Sequence, residues 1–190
     1  VIKHMSDINL TPVLRSKMGM NRPRIRGRYN ASELWAIANG YLTPEQYFSP
    51  KPRTVNDFMK MWSGIIVHEQ VQKLLGQDKE KKVEYNRDGV TLVAKADYLP
   101  GDIQDEVWEI KTSETEIDKA KPWFKYQTRL YCTMFNKKRG VIYQPVFSRD
   151  GLFLRDIGTV ERDDDWFEKQ IQVLLKFNEE VEKIWERRRE

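Results

Sequence analysis

Apolar residues recur at two different periods along this 190-residue chain, and the changes of period mark out its elements. Asn30 followed by Glu33 has the form of a capping box and predicts a short helix through Asn39, and Thr43-Pro44-Glu45-Gln46 repeats the signal. Thr54 with Asp57 opens a first long helix that carries Phe58, Trp62, Ile65, Ile66 and Leu74 to a stop at Gly76, an amphipathic pattern expected to lie on a sheet. The period then shortens to two. Strands are predicted over Lys82 to Tyr85 and Val90 to Tyr98 about the turn Asn86-Arg87-Asp88-Gly89, with Val90, Leu92, Ala94 and Ala96 alternating. Pro100-Gly101-Asp102 breaks the chain before a third strand over Val107 to Lys111. Pro122 opens a second long helix running to Phe135, and Arg139 to Phe147 with Leu152 to Val160 form a hairpin about Ser148-Arg149-Asp150-Gly151. A last helix from Asp164 to Arg188 spaces Phe167, Ile171, Leu174, Val181 and Trp185 near 3.6 residues. Helices, a three-strand meander, a helix, a hairpin and a helix make an α/β arrangement around one central mixed sheet flanked by helices.

The length suits one domain, expected over residues 30–190, able to bury a core without metal or disulfide staples. The single cysteine, Cys132, excludes a disulfide framework within the chain and any multi-cysteine zinc or iron-sulfur site. No apolar run approaches the ~20 residues of a membrane span, so a cytoplasmic protein without a membrane partner is expected, with a phage or viral source left open. Net charge is only +4, but its distribution is uneven. Thr11 to Tyr29 holds Arg15, Lys17, Arg22, Arg24, Arg26 and Arg28 and no acid, which reads as a basic arm drawn to phosphates or as a solvated tail. Residues 1–29 are set apart on this ground, with Val1 to Met5 reading as an expression scar before a natural start at Met5.

Candidate chemistry begins in the third strand. Alternation puts Glu109 and Lys111 on one face and Trp108 and Ile110 on the other, so one face is free for a cation while the other packs. Asp97, at the end of the preceding strand, supplies a second hard oxygen ligand, and two carboxylates beside a lysine are what metal-assisted phosphodiester hydrolysis requires. A simple ion pair to Lys111 explains either acid equally simply. His68 lies mid-helix with Gly64 one turn earlier on nearly the same face, which lets a partner approach the helix backbone. As a ligand it adds a nitrogen and suits manganese as well as magnesium; as a helical histidine it is more often semi-buried and satisfied. Gln127 and Tyr131, four residues apart, share a face of the second long helix, where a neutral amide can orient a lysine without adding charge. Lys125 and Arg129 flank them within reach of a nucleic-acid backbone. Tyr29, Trp35, Tyr41 and Trp123 are candidates for base stacking, a core role being the plainer reading for most of them.

The order His68, Asp97, Glu109-Ile110-Lys111, Gln127-x-x-x-Tyr131 resembles the RecB-like branch of the PD-(D/E)xK nuclease superfamily, over roughly residues 54–135. That branch includes the nuclease domain of the RecBCD helicase complex, the CRISPR-adaptation nucleases and many small phage nucleases. The resemblance implies a restriction-endonuclease-like core. It also implies that His68, Asp97, Glu109 and the Ile110 carbonyl hold one or two Mg2+ or Mn2+ ions, and that Lys111 activates water and steadies the developing phosphorane charge. Gln127 and Tyr131 organise Lys111 and the nucleic-acid end in this scheme, with Glu69 and Glu84 in support. Two departures stand out: the four cysteines that many relatives use for an iron-sulfur cluster are missing, so no cluster is expected, and Ala94-Lys95-Ala96 replaces the usual glycine before the motif aspartate, with Lys95 facing the site.

The function so implied is a metal-dependent deoxyribonuclease, an exonuclease on DNA ends or single strands that leaves a 5′ phosphate. The basic arm, with Arg22, Arg24, Arg26 and Arg28, and the C-terminal Arg187-Arg188-Arg189 lend sequence-independent affinity. The alternatives are an inactive DNA-binding or recombination accessory module and, last, a sequence-specific restriction endonuclease, for which the chain offers little insertion for base readout. The aromatic last helix suits either a homo-oligomer interface or the core.

Overall fold

In the computed structural model, Pro12 and residues 24–48, 54–77, 79–101, 105–113 and 115–189 are described. The expectations for Arg15, Lys17, Arg22 and the scar therefore lie outside the described residues. The strands are β1 (Arg28–Asn30), β2 (Lys81–Arg87), β3 (Val90–Ala96), β4 (Glu106–Ile110), β5 (Arg139–Ser148) and β6 (Gly151–Glu161); the helices are α1 (Ala31–Ala38), α2 (Pro44–Phe48), α3 (Val55–Leu74), α4 (Pro122–Met134) and α5 (Asp164–Arg187).

Local signals place most boundaries. The Asn30/Glu33 capping box opens α1, the reciprocal Thr54/Asp57 pair opens α3, and Pro122 occupies the first turn of α4, where its missing N–H costs nothing. Asp88 and Gly89 both take positive φ (47° and 78°), the geometry that a tight turn between antiparallel strands requires of β2 and β3.

The sheet topology departs from the expected meander. β1, β3 and β2 form one three-stranded sheet and β4, β5 and β6 another; among the described residues the backbone pairing between them is an antiparallel bridge of Tyr98 with Trp108. β4 runs parallel to β5, with Glu109 opposite Ile142, and α4 provides the crossover that a parallel pair needs. Each of the two sheets is mixed, because β1 also joins β3 in parallel. β1 escaped sequence reading because three residues give no period, and only its central Tyr29 is buried.

α4 packs on strands of both sheets. Its approach to β5 depends on Gly140, where an added Cβ would sit 2.4 Å from Thr128 Cγ2 and 3.1 Å from Cys132 Sγ. The main core lies between the β1-β3-β2 sheet and helices α1, α4 and α5, around Tyr29, Leu34, Leu92, Leu130, Ile171 and Leu174. A smaller cluster of Ala120, Ile142 and Ile157 fills the space under the second sheet. Together these give a mixed α/β fold with helices flanking mixed sheets.

α3 does not lie along a sheet as its sequence suggested. Only Val71 and Gln72 are buried among its described side chains, while Trp62, Ile65, Ile66 and Leu74 are exposed. Apolar residues are spread around its circumference rather than gathered in one stripe, so no single face has enough area to drive docking along the whole helix.

Candidate active site

The two sheets meet where the sequence placed the chemistry. Asp97 follows directly on β3 and is 3% exposed; Glu109, on β4, is equally buried. Asp97 Oδ2 accepts a hydrogen bond from the Ile110 amide at 2.6 Å, so this carboxylate bridges the gap between β3 and β4. Its other oxygen, Oδ1, stands 3.4 Å from Nδ1 of His68. The Asp97 carbonyl is fixed independently, accepting from the side-chain amides of Gln72 (2.9 Å) and Gln77 (2.6 Å).

On the β4 side, Lys111 Nζ donates to Glu109 Oε1 at 2.5 Å and to Gln127 Oε1 at 3.2 Å. The Gln127 amide nitrogen donates in turn to Glu109 Oε1 (3.1 Å) and to the Tyr131 hydroxyl (2.6 Å). Five of the residues singled out in sequence, Asp97, Glu109, Lys111, Gln127 and Tyr131, thus gather at one junction with His68 beside them. The ion pair between Glu109 and Lys111 does form, yet it uses only one carboxylate oxygen: Glu109 Oε2 is buried and has no hydrogen-bond partner.

Burial pushes the Glu109 carboxyl well above the usual carboxylate range, and the neighbouring Asp97 charge adds to the shift against the opposing pull of Lys111. Burial works against charging His68, but the Asp97 carboxylate, with Glu109 behind it, outweighs that and raises the imidazole pKa. Tyr131 is held far above its ordinary value by burial and by the Glu109 charge, so its hydroxyl stays protonated.

The donor set, two carboxylates and an imidazole, matches what a hard divalent cation takes. The unpartnered, buried Glu109 Oε2 is the atom most in need of such a charge, since an unsatisfied buried carboxylate oxygen is costly. The three groups do not converge as a ready cage: among the described residues no three His, Cys, Asp or Glu side chains form a metal-holding group. Most of the carboxylate oxygens face protein donors instead, those of Asp97 the Ile110 amide and His68 and Oε1 of Glu109 the Lys111 ammonium and the Gln127 amide, which leaves Glu109 Oε2 unpartnered. The residues fit a cation in kind, and Lys111 is its competitor for Glu109.

A cleft of about 490 Å3 opens next to this cluster, lined by Lys60, Ser63, Gly64 and Val67 of α3 and by Thr112, Ser113 and Thr115 beyond β4. Thr112, rather than a partner of His68, approaches the helix at Gly64, where a Cβ would lie 3.1 Å from its Oγ1.

Other predicted residues stand elsewhere. Arg24 pairs with Glu33 at 2.6 Å and lies over the Tyr47 ring, Arg26 pairs with Glu182 of α5, and Arg28 pairs with Glu84, so these cations are already matched to acids of the fold. Glu84 is spent on Arg28 and Lys82 rather than on the site, and these partners pull its pKa far down. Lys95 turns its ammonium to Glu80 at 3.5 Å instead of facing the site, and Glu69 is exposed on α3. Lys125 is exposed, whereas Arg129 lies over the Trp166 ring with its Nε buried. Arg188 and Arg189 lie over Phe48 and Trp185. Tyr29 is a core residue whose hydroxyl donates to Asn178.

Sequence reading missed Gln72, Gln77 and Phe124. Gln72 sits four residues beyond His68 on the same helix face, a legible signal in retrospect, while Gln77 and the Phe124 ring, 5.2 Å from Lys111 Nζ, depend on tertiary placement.

No protein-family model matches the chain, and no curated protein does. Solved structures do. The crystal structure of an alkaline exonuclease, LHK-Exo from Laribacter hongkongensis, superposes with a TM-score of 0.56 at 18% identity, covering 86% of this chain and 92% of that one. Its complex with dAMP gives the same score and identity over 85% and 91%. The crystal structure of SSO0001 gives a TM-score of 0.55 at 16% identity over 89% and 87%. At such identities the likeness is one of fold: the chain has a mixed α/β, restriction-endonuclease-like core. Among the described residues no helix is long and apolar enough to cross a membrane.

Proposed function

We propose that this protein is a metal-dependent deoxyribonuclease of the RecB-like kind, acting inside the cell as an exonuclease on DNA ends or single strands and leaving a 5′ phosphate. The observation that carries the reading is the buried junction itself. Asp97, Glu109 and Lys111 meet beside His68 where the two sheets join, and Glu109 Oε2 is left without a partner. An alkaline exonuclease of the same fold supports the choice of nucleic acid as substrate.

In this reading His68, Asp97, Glu109 and the Ile110 carbonyl hold one or two Mg2+ or Mn2+ ions, which when bound supply Lewis acidity toward the scissile phosphate. Lys111, released from part of its pairing with Glu109, orients the attacking water and balances charge that develops on the phosphate oxygens. Gln127 holds the Lys111 ammonium at 3.2 Å and is itself held by Tyr131, so the lysine's position rests on a relay anchored in α4. Tyr131, kept protonated by its burial, has a positioning role. Lys125 and the cleft between α3 and Thr112 offer a path for the phosphate backbone.

The test is direct: end-labelled single-stranded, linear duplex and circular DNA are incubated with the protein in Mg2+, Mn2+ or EDTA. Loss of linear but not circular DNA, in either metal and not in EDTA, is expected. Binding without cleavage in any metal overturns the enzyme reading in favour of an accessory DNA-binding module. One observation favours that second reading: three ligating side chains do not converge, and Lys111 already occupies Glu109.

A further inference from the structure

A file of aromatic rings leads from Lys111 to the surface. Lys111 Nζ lies 5.2 Å from the centroid of the Phe124 ring. Phe124 meets Trp123 at 5.6 Å, Trp123 meets Trp35 of α1 at 5.6 Å, and Trp35 stacks on Tyr41 at 5.1 Å with only 20° between the ring planes. The outer rings are open, Tyr41 being 69% exposed and Trp123 40%. Phe124 packs on the smaller core cluster and Trp35 is half-buried, whereas Tyr41 and Trp123 stay largely in solvent, where core packing does not require large rings. Basic groups border them: Lys121 Nζ lies 5.1 Å from the Trp123 ring, and Lys119 and Lys125 are exposed nearby in sequence.

We infer that the Tyr41–Trp35–Trp123–Phe124 file is a stacking platform for the unpaired bases of single-stranded DNA, guiding a strand toward Lys111. Exposed π faces beside cations are how proteins hold a single strand without reading its sequence, the rings taking the bases and the lysines the phosphates. A paired duplex hides its base faces and gains nothing from such a surface. The end of the file favours this occupant over a protein partner, because it stops at the ammonium proposed to serve the scissile phosphate, with lysines along its side. The identity of the ligand rests on the nuclease reading above; the platform's geometry does not.

Binding of a short fluorescent oligothymidylate and of a blunt duplex of equal length is measured in EDTA, so that no cleavage intervenes. The variants are Tyr41→Ala, Trp123→Ala and Lys121→Gln, with Phe147→Ala, an exposed aromatic at the end of β5, as the control. Each aromatic loss is expected to weaken oligothymidylate binding roughly 5- to 150-fold, the range for one stacked base, and to leave duplex binding within about twofold. Lys121→Gln is expected to lessen the salt dependence of single-strand binding. Circular dichroism establishes that each variant is folded, and Tyr41, the most exposed ring, serves where Trp123→Ala does not fold. Unchanged single-strand binding in folded Tyr41→Ala, or equal losses for single strand and duplex, overturns the platform. Cleavage by the wild type with an unaffected Tyr41→Ala sinks the platform and spares the nuclease; ring-dependent binding without cleavage in any metal does the reverse.

Discussion

Replacing Lys111 by Met isolates the charge at the centre of the site, because the methionine keeps an apolar stem against Phe124 and loses only the ammonium. Glu109 would then be a buried carboxylate whose remaining donor is the Gln127 amide at 3.1 Å. Breaking a buried ion pair by removing one partner costs about 3–5 kcal/mol. The lower end applies, since the Lys111 side chain is 16% exposed while that of Glu109 is 4%. For a chain of this size about 3 kcal/mol corresponds to a fall in Tm of roughly 6–12 °C. Thermal unfolding in EDTA at neutral pH measures it. The deficit should shrink as pH falls, because Glu109 becomes protonated and no longer needs a counter-charge. Mg2+ or Mn2+ should raise the Tm of the variant more than that of the wild type, since the ammonium no longer competes for Glu109 Oε1 and only the neutral Gln127 amide still donates to it, while DNA cleavage is lost. A variant that melts with the wild type in EDTA, or that gains nothing extra from the cation, refutes the assignment of Lys111 as the ion's competitor. One that cleaves normally refutes its role in the reaction.

Asp97→Asn keeps the shape but weakens the acceptor for the Ile110 amide, and is expected to abolish cation-induced stabilisation together with cleavage; calorimetric titration with Mn2+ checks it. Tyr131→Phe removes the hydroxyl that Gln127 contacts at 2.6 Å and should cost about 1–2 kcal/mol, with cleavage slowed rather than lost. Gly140→Ala drives a methyl to 2.4 Å from Thr128 Cγ2 and should destabilise by about 1–3 kcal/mol, read from urea midpoints. The folded-state pKa of both Glu109 and His68 is raised above the ordinary 4.5 and 6.5, so the stability they contribute is complete below those values and is lost as pH rises through the shifted ones. In EDTA, unfolding free energy should therefore decline from mildly acidic toward mildly alkaline pH, and a flat profile would contradict the shifts.

Where a signal is local, the chain states it openly. The capping pairs Asn30/Glu33 and Thr54/Asp57, Pro122 in its helix and the Asp88-Gly89 turn all act within a few residues, and each lies where the pattern placed it. Strand alternation put Glu109 and Lys111 on one face and helical spacing put Gln127 and Tyr131 on another, while the gathering of both faces with Asp97 was legible only through the resemblance to a nuclease motif. What stayed hidden depends on distant partners. β4 chooses β5 over β3 because α4 carries the chain across, and no window around Val107 contains that information. Arg24, Arg26 and Arg28 looked free because their partners Glu33, Glu182 and Glu84 are dispersed along the sequence. α3 looked like a sheet-packing helix because its apolar residues are numerous, whereas their angular spread decides what they bury.

The single hydrogen bond from the Ile110 amide to Asp97 gives the site a mechanical meaning. Between β3 and β4 the regular ladder is reduced to the Tyr98–Trp108 bridge, and a side-chain oxygen takes over the next rung. The acid proposed to serve the reaction is thus also a rivet between the two halves of the molecule. Any partner that draws charge from Asp97 loosens that rivet, so the protection of the Ile110 amide against hydrogen exchange becomes a gauge, read without substrate, of how firmly the halves are fastened.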